Sequence, residues 1–544
     1  LQATIPIIKS FLVFFLKKEQ LSSWRADVAS LALGGLAATA LPPFFVAPAL
    51  LVAIPGLLVL IGQTRSWGGA ARRGFVFGMG LHIVGLYWIT NAILVRAAEF
   101  WWAVPLAVPL LAAWLSIFVA APCALARLVE ARWRRLLVLA GCWVIGDIAR
   151  QFALTGFPWN PLGSVWEFPG VLGLVFIQPA GWIGVHGLTG ATLLVAGAPA
   201  LGARGRSAIA VLLALWLVVG MTRLNQHPIM PADEQPSPWV VVVQGNISEA
   251  AHNANLENYE FAKASFDKHL ALTRQGVEAV EKAAPDHPFF VLWPETASPF
   301  ALASDSGARQ AIAAAAGSAR VTLAGTIHRA SGPGGEDYFN SLVAVLPDAS
   351  VGGIYDKHHL VPYGEYFPSY LPIRLGERGF SAGPGNITMR LPDLPSIGPQ
   401  ICYEAIFPAQ VVRESDRPQL MVNITNDAWF GDSTGPRQHL AAARMRAVEE
   451  GLPLIRAANT GVSAIIDAHG RVLRALGLNQ AGALVGEVPP PLPPTPVSKM
   501  GLAAPLLLAL GSAAVGLGVG RRTVFSDDAR KLSKKPYFLL KCGN

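Results

Sequence analysis

The sequence predicts two unlike parts, a multi-pass α-helical membrane domain and an α/β domain held outside the cytoplasm. Three observations carry that reading. Of 544 residues, 52% are hydrophobic and only 14% charged, where a soluble domain carries roughly 25% charged residues. Eight apolar stretches approach the ~20 residues that a bilayer crossing demands. Between the seventh and the eighth, the composition returns to that of an ordinary folded protein. Disorder and collagen-like repeats are excluded by the apolar content and by the lack of a three-residue glycine period.

Residues 1–25 read as a cytoplasmic lead-in, whose short SFLVFFL run between Lys9 and Lys17 suits an interfacial helix. Residues 26–224 hold seven spans: 26–41, 44–63, 74–95, 103–125, 136–150, 172–200 and 207–222. Short loops that keep Lys and Arg lie on the cytoplasmic side. Alternate connections carry Arg65, Arg72 and Arg73, then Arg127, Arg132, Arg134 and Arg135, then Arg204 and Arg206. The other connections are nearly bare, with Arg96 offset by Glu99 and Glu167 standing after Arg150. Both termini are therefore predicted to be cytoplasmic, with the large polar segment on the opposite side. These loops account for the net charge of +8, and no nucleic-acid partner is expected.

Residues 225–488 read as one α/β domain, because short β-branched runs bounded by turn residues alternate with Ala-rich helical stretches. The predicted strands are 239–246, 288–295, 321–328, 341–347, 398–404, 420–427 and 462–467, and the helices 254–284, 305–318 and 436–451. Residues 489–500, with PPPLPPTP, form a stiff connector. Residues 501–520 are the last membrane helix and 521–544 a cytoplasmic tail. Four scattered cysteines (Cys123, Cys142, Cys402, Cys542) give neither a disulfide framework nor a zinc site. Walker, GxGxxG, GxSxG and HExxH patterns are absent, so neither metal nor cofactor is expected.

Within the α/β domain three residue types meet the needs of acyl transfer. Glu295 closes VLWPE, Lys357 lies in YDKHHLVPYGEY, and Cys402 ends PQICYE as the lone cysteine of its domain. A thiolate is a strong nucleophile once a neighbouring cation lowers its pKa. Lys357 could supply that charge and stabilise an oxyanion, while Glu295 could shuttle the proton. His358 and His359 offer a Cys–His alternative, although adjacent side chains point in different directions.

WPE (293–295), DKHHLVPYGEY (356–366), CYE (402–404) and NITNDAWFG (423–431) resemble the Glu-Lys-Cys motifs of the nitrilase, or carbon–nitrogen hydrolase, superfamily. With spans on both sides of the domain, together with QGN (244–246), LTGFPWNP (154–161) and the 444–467 segment, the chain resembles that superfamily's membrane-integrated branch, the apolipoprotein N-acyltransferases. The resemblance implies an αββα sandwich for the α/β domain, with Cys402 as nucleophile, Glu295 as general base and Lys357 as oxyanion stabiliser. It also implies supporting roles for Glu365, Tyr403 and Glu404. Trp429, Phe430, Phe157 and Trp159 become candidates for lipid or substrate contact, against a reading as packing or belt aromatics. Two departures stand out: Ser248 and Glu249 replace the Pro-Gln-like pair common after QGNI, and the tail from Thr523 has no counterpart.

The activity so implied is a ping-pong transfer of an acyl chain from a membrane phospholipid, through a cysteine thioester, to the α-amine of diacylglyceryl-cysteine on an apolipoprotein. The expected setting is the bacterial inner membrane, with the catalytic domain periplasmic and the protein a monomer. Two other functions stay open on the residues alone. One is a membrane-tethered amidase using the same three groups. The other is a transporter or scaffold with a non-catalytic α/β domain, for which His82, Asp147 and His186 would be the intramembrane polar residues.

Overall fold

The computed structural model describes residues 23–95, 100–228, 237–248, 258–332, 335–368 and 379–518. Most of the lead-in, the 96–99 loop, most of the loop after Asn246 and the tail with Cys542 lie outside the described residues, as do the expectations placed on them.

The N-terminal half is helical: α1 (Ser23–Ala38), α2 (Leu50–Gln63), α3 (Trp67–Gly85), α4 (Ile89–Leu94), α5 (Val104–Ala126), α6 (Arg132–Phe152), α7 (Val171–Ile177), α8 (Ala180–Gly197) and α9 (Ala203–Leu224). Three described segments are long and apolar enough to cross a membrane, namely Trp101–Ala126, Ala180–Ala200 and Ala203–Leu224. The apolar helices Ala47–Gln63 and Ala503–Gly518 are shorter. Two stretches predicted as single spans are interrupted. The 74–95 stretch breaks at Leu86 into α3 and α4. The 172–200 stretch divides into α7 and α8, and α8 kinks at Gly184, whose φ is +64°. At that kink Glu449 of the α/β part accepts the Val185 N–H at 2.6 Å, supplying a carboxylate where a helix begins.

Small residues let the helices approach closely. A Cβ on Gly34 of α1 would fall 1.9 Å from the Phe77 oxygen of α3, and one on Gly80 2.1 Å from the Leu31 oxygen. Those two contacts seat α1 against α3 with nothing between the backbones.

The α/β part follows in the order β1 (Trp239–Gln244), α10 (Tyr259–Ala283), β2 (Phe289–Leu292), α11 (Ser306–Ala316), β3 (Thr322–Gly332), β4 (Gly335–Val345), β5 (Val351–Asp356), β6 (Ile397–Ile401), β7 (Leu420–Thr425), α12 (Gly435–Glu450), β8 (Leu454–Ala458), β9 (Ser463–Ile466), β10 (Val472–Leu476) and β11 (Gly482–Glu487). One sheet runs β11-β1-β2-β3-β4-β5 and the other β10-β9-β8-β7-β6. Successive parallel pairs form the centre of the first sheet (β1–β2–β3), whose two edges are closed by antiparallel strands; in the second, the parallel set β6–β7–β8 reaches one edge at β6 and antiparallel β9 and β10 close the other. Alternation along β1 shows why its valines run unbroken. Val240 and Val242 face the second sheet with Ile401, Val422 and Ile424. Val241 and Val243 face α10 and α11 with Phe266, Leu270 and Ile312. Met421 and Leu454 meet Ala443 and Ala447 of α12 on the far side. The result is a four-layer αββα sandwich.

Strands β5, β8, β10 and β11 escaped the sequence reading. The apolar run of β8 is interrupted by Arg456, β10 is largely exposed, and β11 is only half-buried. The connector leads to α13 (Pro496–Met500) and α14 (Ala503–Gly518). Helix α14 returns onto α6, where Arg134 donates to the Gly516 oxygen at 2.8 Å and Ser512 to the Leu137 oxygen at 2.9 Å.

Candidate active site

Two predicted strand-end residues lie beyond their strands. Strand β2 ends at Leu292, three residues before Glu295, and β6 ends at Ile401, so that Cys402 opens a 3₁₀ turn spanning Cys402–Ile406. The consequence for Cys402 is conformational. Its φ is +51°, a left-handed value uncommon outside glycine.

The structure brings Glu295, Lys357 and Glu365 together around one ammonium. Lys357, directly after β5, is 1% exposed and donates from Nζ to Glu295 Oε1 at 3.2 Å and to Glu365 Oε1 at 2.8 Å. Asn340 Nδ2 donates to the same two oxygens at 2.7 and 2.8 Å. The outer oxygens are held by main chain: Glu295 Oε2 accepts the Asn426 N–H at 2.6 Å and Glu365 Oε2 the Val361 N–H at 2.7 Å. Burial opposes charge on Lys357, but the carboxylates of Glu295 and Glu365 outweigh it and raise its pKa above the usual lysine range.

Cys402 does not behave as the sequence suggested. Burial, followed by the Glu295 carboxylate, pushes its thiol well above the ordinary range. The opposing pull of Lys357 and a hydrogen bond with Thr425 do not compensate. The resting thiol is therefore neutral, and any attack by its sulfur would need a base to remove the proton. Glu295 is the carboxylate whose charge acts most strongly on the sulfur.

Tyr403 and Glu404 tie this turn to its surroundings. The Tyr403 hydroxyl donates to the Gly156 oxygen at 2.8 Å, which joins the turn to the LTGFPWNP loop. Glu404, 2% exposed, accepts from the main-chain N–H groups of Ile401 (2.6 Å), His358 (2.9 Å) and His359 (3.2 Å) and from the Tyr355 hydroxyl (2.9 Å). Its burial favours the neutral acid, yet these donors and His358 bring its pKa below the usual carboxylate range. Glu404 is thus a buried carboxylate held by N–H and O–H donors. The Cys–His alternative also loses its geometry. His358 Nδ1 pairs with Glu404 at 2.7 Å, and His359 stacks on Phe407 at 3.7 Å between centroids.

The aromatic candidates gather at the seam between the helices and the sandwich. Phe430 packs on Trp88 (4.6 Å) and Trp159 (5.9 Å), and Phe157 stacks on Trp159 (5.9 Å). Trp159, considered above as a lipid contact, is 4% exposed. Its Nε1 and that of Trp88 both donate to Gln438 Oε1 at 2.9 Å. An acceptor inside the seam is why this indole is buried instead of lying at the membrane boundary. Phe157, Phe430 and Trp429 remain half-buried. Of the polar residues expected within the membrane, Asp147 pairs with Arg150 at 3.0 Å and His186 Nε2 lies 3.3 Å from Gln151 Oε1.

Sequence reasoning missed the groups behind Cys402. His439 on α12 reaches the Cys402 main-chain oxygen at 3.0 Å and Asp427 at 2.8 Å, and Asp427 also pairs with Arg456 at 2.8 Å. A usable signal existed: Asn423 and Arg456 interrupt otherwise apolar buried strands, where an ionised group persists only if partnered.

Comparison with known proteins agrees with both halves. Residues 33–198 match the family model "Apolipoprotein N-acyltransferase N-terminal domain", and residues 265–492 match "Carbon-nitrogen hydrolase". The chain is 37% identical over 518 residues to the apolipoprotein N-acyltransferase of Rhodopseudomonas palustris, an alignment covering 90% of this chain and 94% of that one. The corresponding protein of Bradyrhizobium diazoefficiens is 38% identical over 92% of this chain and 95% of its own. That of Brucella suis is 38% identical over 87% and 92%.

Proposed function

The chain belongs to the apolipoprotein N-acyltransferase family, and from that premise we propose that it transfers its acyl group through a thioester on Cys402. It is an acyltransferase that N-acylates apolipoproteins, with a phospholipid as donor and a lipoprotein as acceptor. The observation that carries the mechanism is the sharing of the Lys357 ammonium between Glu295 and Glu365, next to a buried thiol in a left-handed turn.

In the first half-reaction Glu295 takes the thiol proton as Sγ attacks the donor's ester carbonyl, and Lys357 neutralises the oxyanion. Collapse breaks the ester C–O bond, and the departing lysophospholipid oxygen takes the proton back from Glu295. In the second, the α-amine of the acceptor's diacylglyceryl-cysteine attacks the thioester and gives its proton to Glu295. The thiolate leaves and is reprotonated, and the product is an amide. Glu365 keeps Lys357 in place, and Glu404 keeps the lysine loop against the nucleophile turn.

The setting we infer is the bacterial inner membrane, spanned by the helices of 26–224 and 501–520. The catalytic domain (225–488) is periplasmic, both termini are cytoplasmic and the protein is a monomer. The arginine-bearing loops support that orientation. So does the chemistry, since drawing a lipid chain out of the bilayer costs about 0.8 kcal/mol per CH₂. The Tyr403–Gly156 bond supports a site that opens beside the membrane helices. Phe157, Phe430 and Trp429, at the same seam, are proposed to line the acyl path.

The test is incubation of purified protein with phosphatidylethanolamine, followed by intact and peptide mass spectrometry. The expected result is an acyl mass on Cys402 with release of lysophospholipid. A wild-type protein that never acquires the adduct but cleaves small amides would make this an amidase.

A further inference from the structure

Behind Cys402 lies a second set of buried charged groups that the scheme above does not use. His439 is the fifth residue of α12 and is fully buried. Its Nε2 is 3.0 Å from the Cys402 main-chain oxygen. A carbonyl oxygen only accepts, so Nε2 bears the proton and donates. On the other side of the ring, Nδ1 faces Asp427 Oδ1 at 2.8 Å. Burial would favour a neutral Asp427, but Arg456 and His439 hold its carboxyl down at about 2. Asp427 is thus an ionised anchor. Thr425 Oγ1 donates to its Oδ1 at 3.0 Å, and Arg456 donates to Oδ2 at 2.8 Å while also bonding Asn423 Oδ1. Trp159 and Phe430 bracket the imidazole, with centroids 5.6 and 5.9 Å away. The ring has nowhere to turn.

The residue it grips has a backbone in an unfavourable region. A non-glycine φ of +51° persists only where the surroundings over-determine it, and rotating the Cys402 carbonyl away would swing Sγ off its position. We propose that His439 is a positioning residue for the nucleophile: its Nε2–H, aimed by the Asp427–Arg456 pair, clamps the Cys402 carbonyl and so fixes the left-handed main chain that presents Sγ to Glu295 and Lys357. The proposal rests on Cys402 being the nucleophile.

The experiment uses the full-length protein in detergent, with phosphatidylethanolamine as donor and a diacylglyceryl-cysteinyl peptide as acceptor. His439→Phe, His439→Gln and Asp427→Asn are assayed beside Cys402→Ala. Phenylalanine keeps the ring packing on Trp159 and Phe430 but donates nothing, whereas glutamine keeps a donor. His439→Phe is expected to lower kcat about 100-fold, as displacement of a reacting group does, with KM within about threefold of wild type. His439→Gln should recover about tenfold of that loss, and Asp427→Asn should fall between them. Alkylation of Cys402 by iodoacetamide should slow in parallel with kcat.

A kcat for His439→Phe within about threefold of wild type overturns the proposal. So does an equal loss in the Phe and Gln variants with a raised KM, since that is the mark of packing alone. If His439→Phe does not fold, Asp427→Asn decides: reduced kcat at constant KM supports the clamp, and unchanged kcat removes it. The two readings separate cleanly. An active Cys402→Ala defeats the nucleophile assignment, whereas an inactive Cys402→Ala beside a fully active His439→Phe defeats only the clamp.

Discussion

On one side of Cys402, the Lys357 ammonium is divided between Glu295 and Glu365. On the other, the Asp427 carboxylate is divided between Arg456 and His439. Both clusters are buried, but the first sets two carboxylates around one ammonium, whereas the second sets one carboxylate between a guanidinium and an imidazole. Two carboxylates over one cation leave negative charge to spare, as the proposed transfer of the thiol proton to Glu295 requires. One carboxylate under two donors has nothing to spare, so it can hold but not react. The difference teaches that counting charges inside a buried cluster separates a group that exchanges protons from one that fixes geometry. Burial alone does not, since Lys357 and Arg456 are both buried.

The largest way to break this contrast is to remove the atom between the clusters. Cys402→Ala should abolish the acyl adduct and lipoprotein N-acylation, while leaving membrane insertion and thermal unfolding close to wild type. Mass spectrometry of the purified protein and a melting curve check both. Full activity in that variant would end the nucleophile assignment.

Removing the shared cation comes next. Lys357→Met leaves two buried carboxylates uncompensated, with an expected loss of about 3–5 kcal/mol in stability and roughly 10²–10³-fold in acylation rate. Glu365→Gln, which keeps the hydrogen-bonding shape, should lose less of both. Equal rate losses in the two variants would show that the cation acts structurally.

The seam beside the holding cluster should respond more mildly. Gln438→Leu deprives the Trp88 and Trp159 N–H groups of their acceptor and is expected to cost roughly 2–4 kcal/mol. Thermal unfolding in detergent measures this, and an unchanged melting temperature would show that the two indoles find other partners.

The smallest effect concerns pH. Burial, then the neighbouring His358, lowers the His359 pKa to about 4. The unfolded chain therefore binds this proton first, near pH 6.5. The sign follows from linkage: the stability due to the neutral ring is complete above pH 6.5 and lost as pH falls through about 4. The stake is less than about 3 kcal/mol, because the ring keeps some contact with water. His359→Leu should flatten the acid side of the stability curve between those values and change little at neutral pH. Melting curves at stepped pH would expose a slope that survives the substitution and so belongs to another group.

How much could be read in advance depended on the kind of signal. The valine run of β1 and the Ala-rich stretch of α12 announce themselves, because a strand buried on both faces and a helix each leave a local pattern. Strand β10 does not, since its residues are exposed and it holds its place by pairing with β9. The apolar stretches between 74 and 95 and between 172 and 200 show hydrophobicity but not the breaks at Leu86 and Gly184. The Gly184 break coincides with a hydrogen bond donated to Glu449 from some 260 residues away in the chain.

Local pattern along the chain is enough to divide it into an apolar helical part and an α/β part and to mark Glu295, Lys357 and Cys402 as chemically apt groups, with Glu365 added by family resemblance. Those are properties of composition, period and side-chain type, which neighbours in the chain reveal. It took the folded chain to establish that the thiol rests protonated, that Glu404 is buried among N–H donors, that Trp159 belongs to the seam and that His439 stands behind Cys402. Each of these depends on burial and on distances between residues remote in sequence. The free energy of a charge or a hydrogen bond is set by what surrounds it in space.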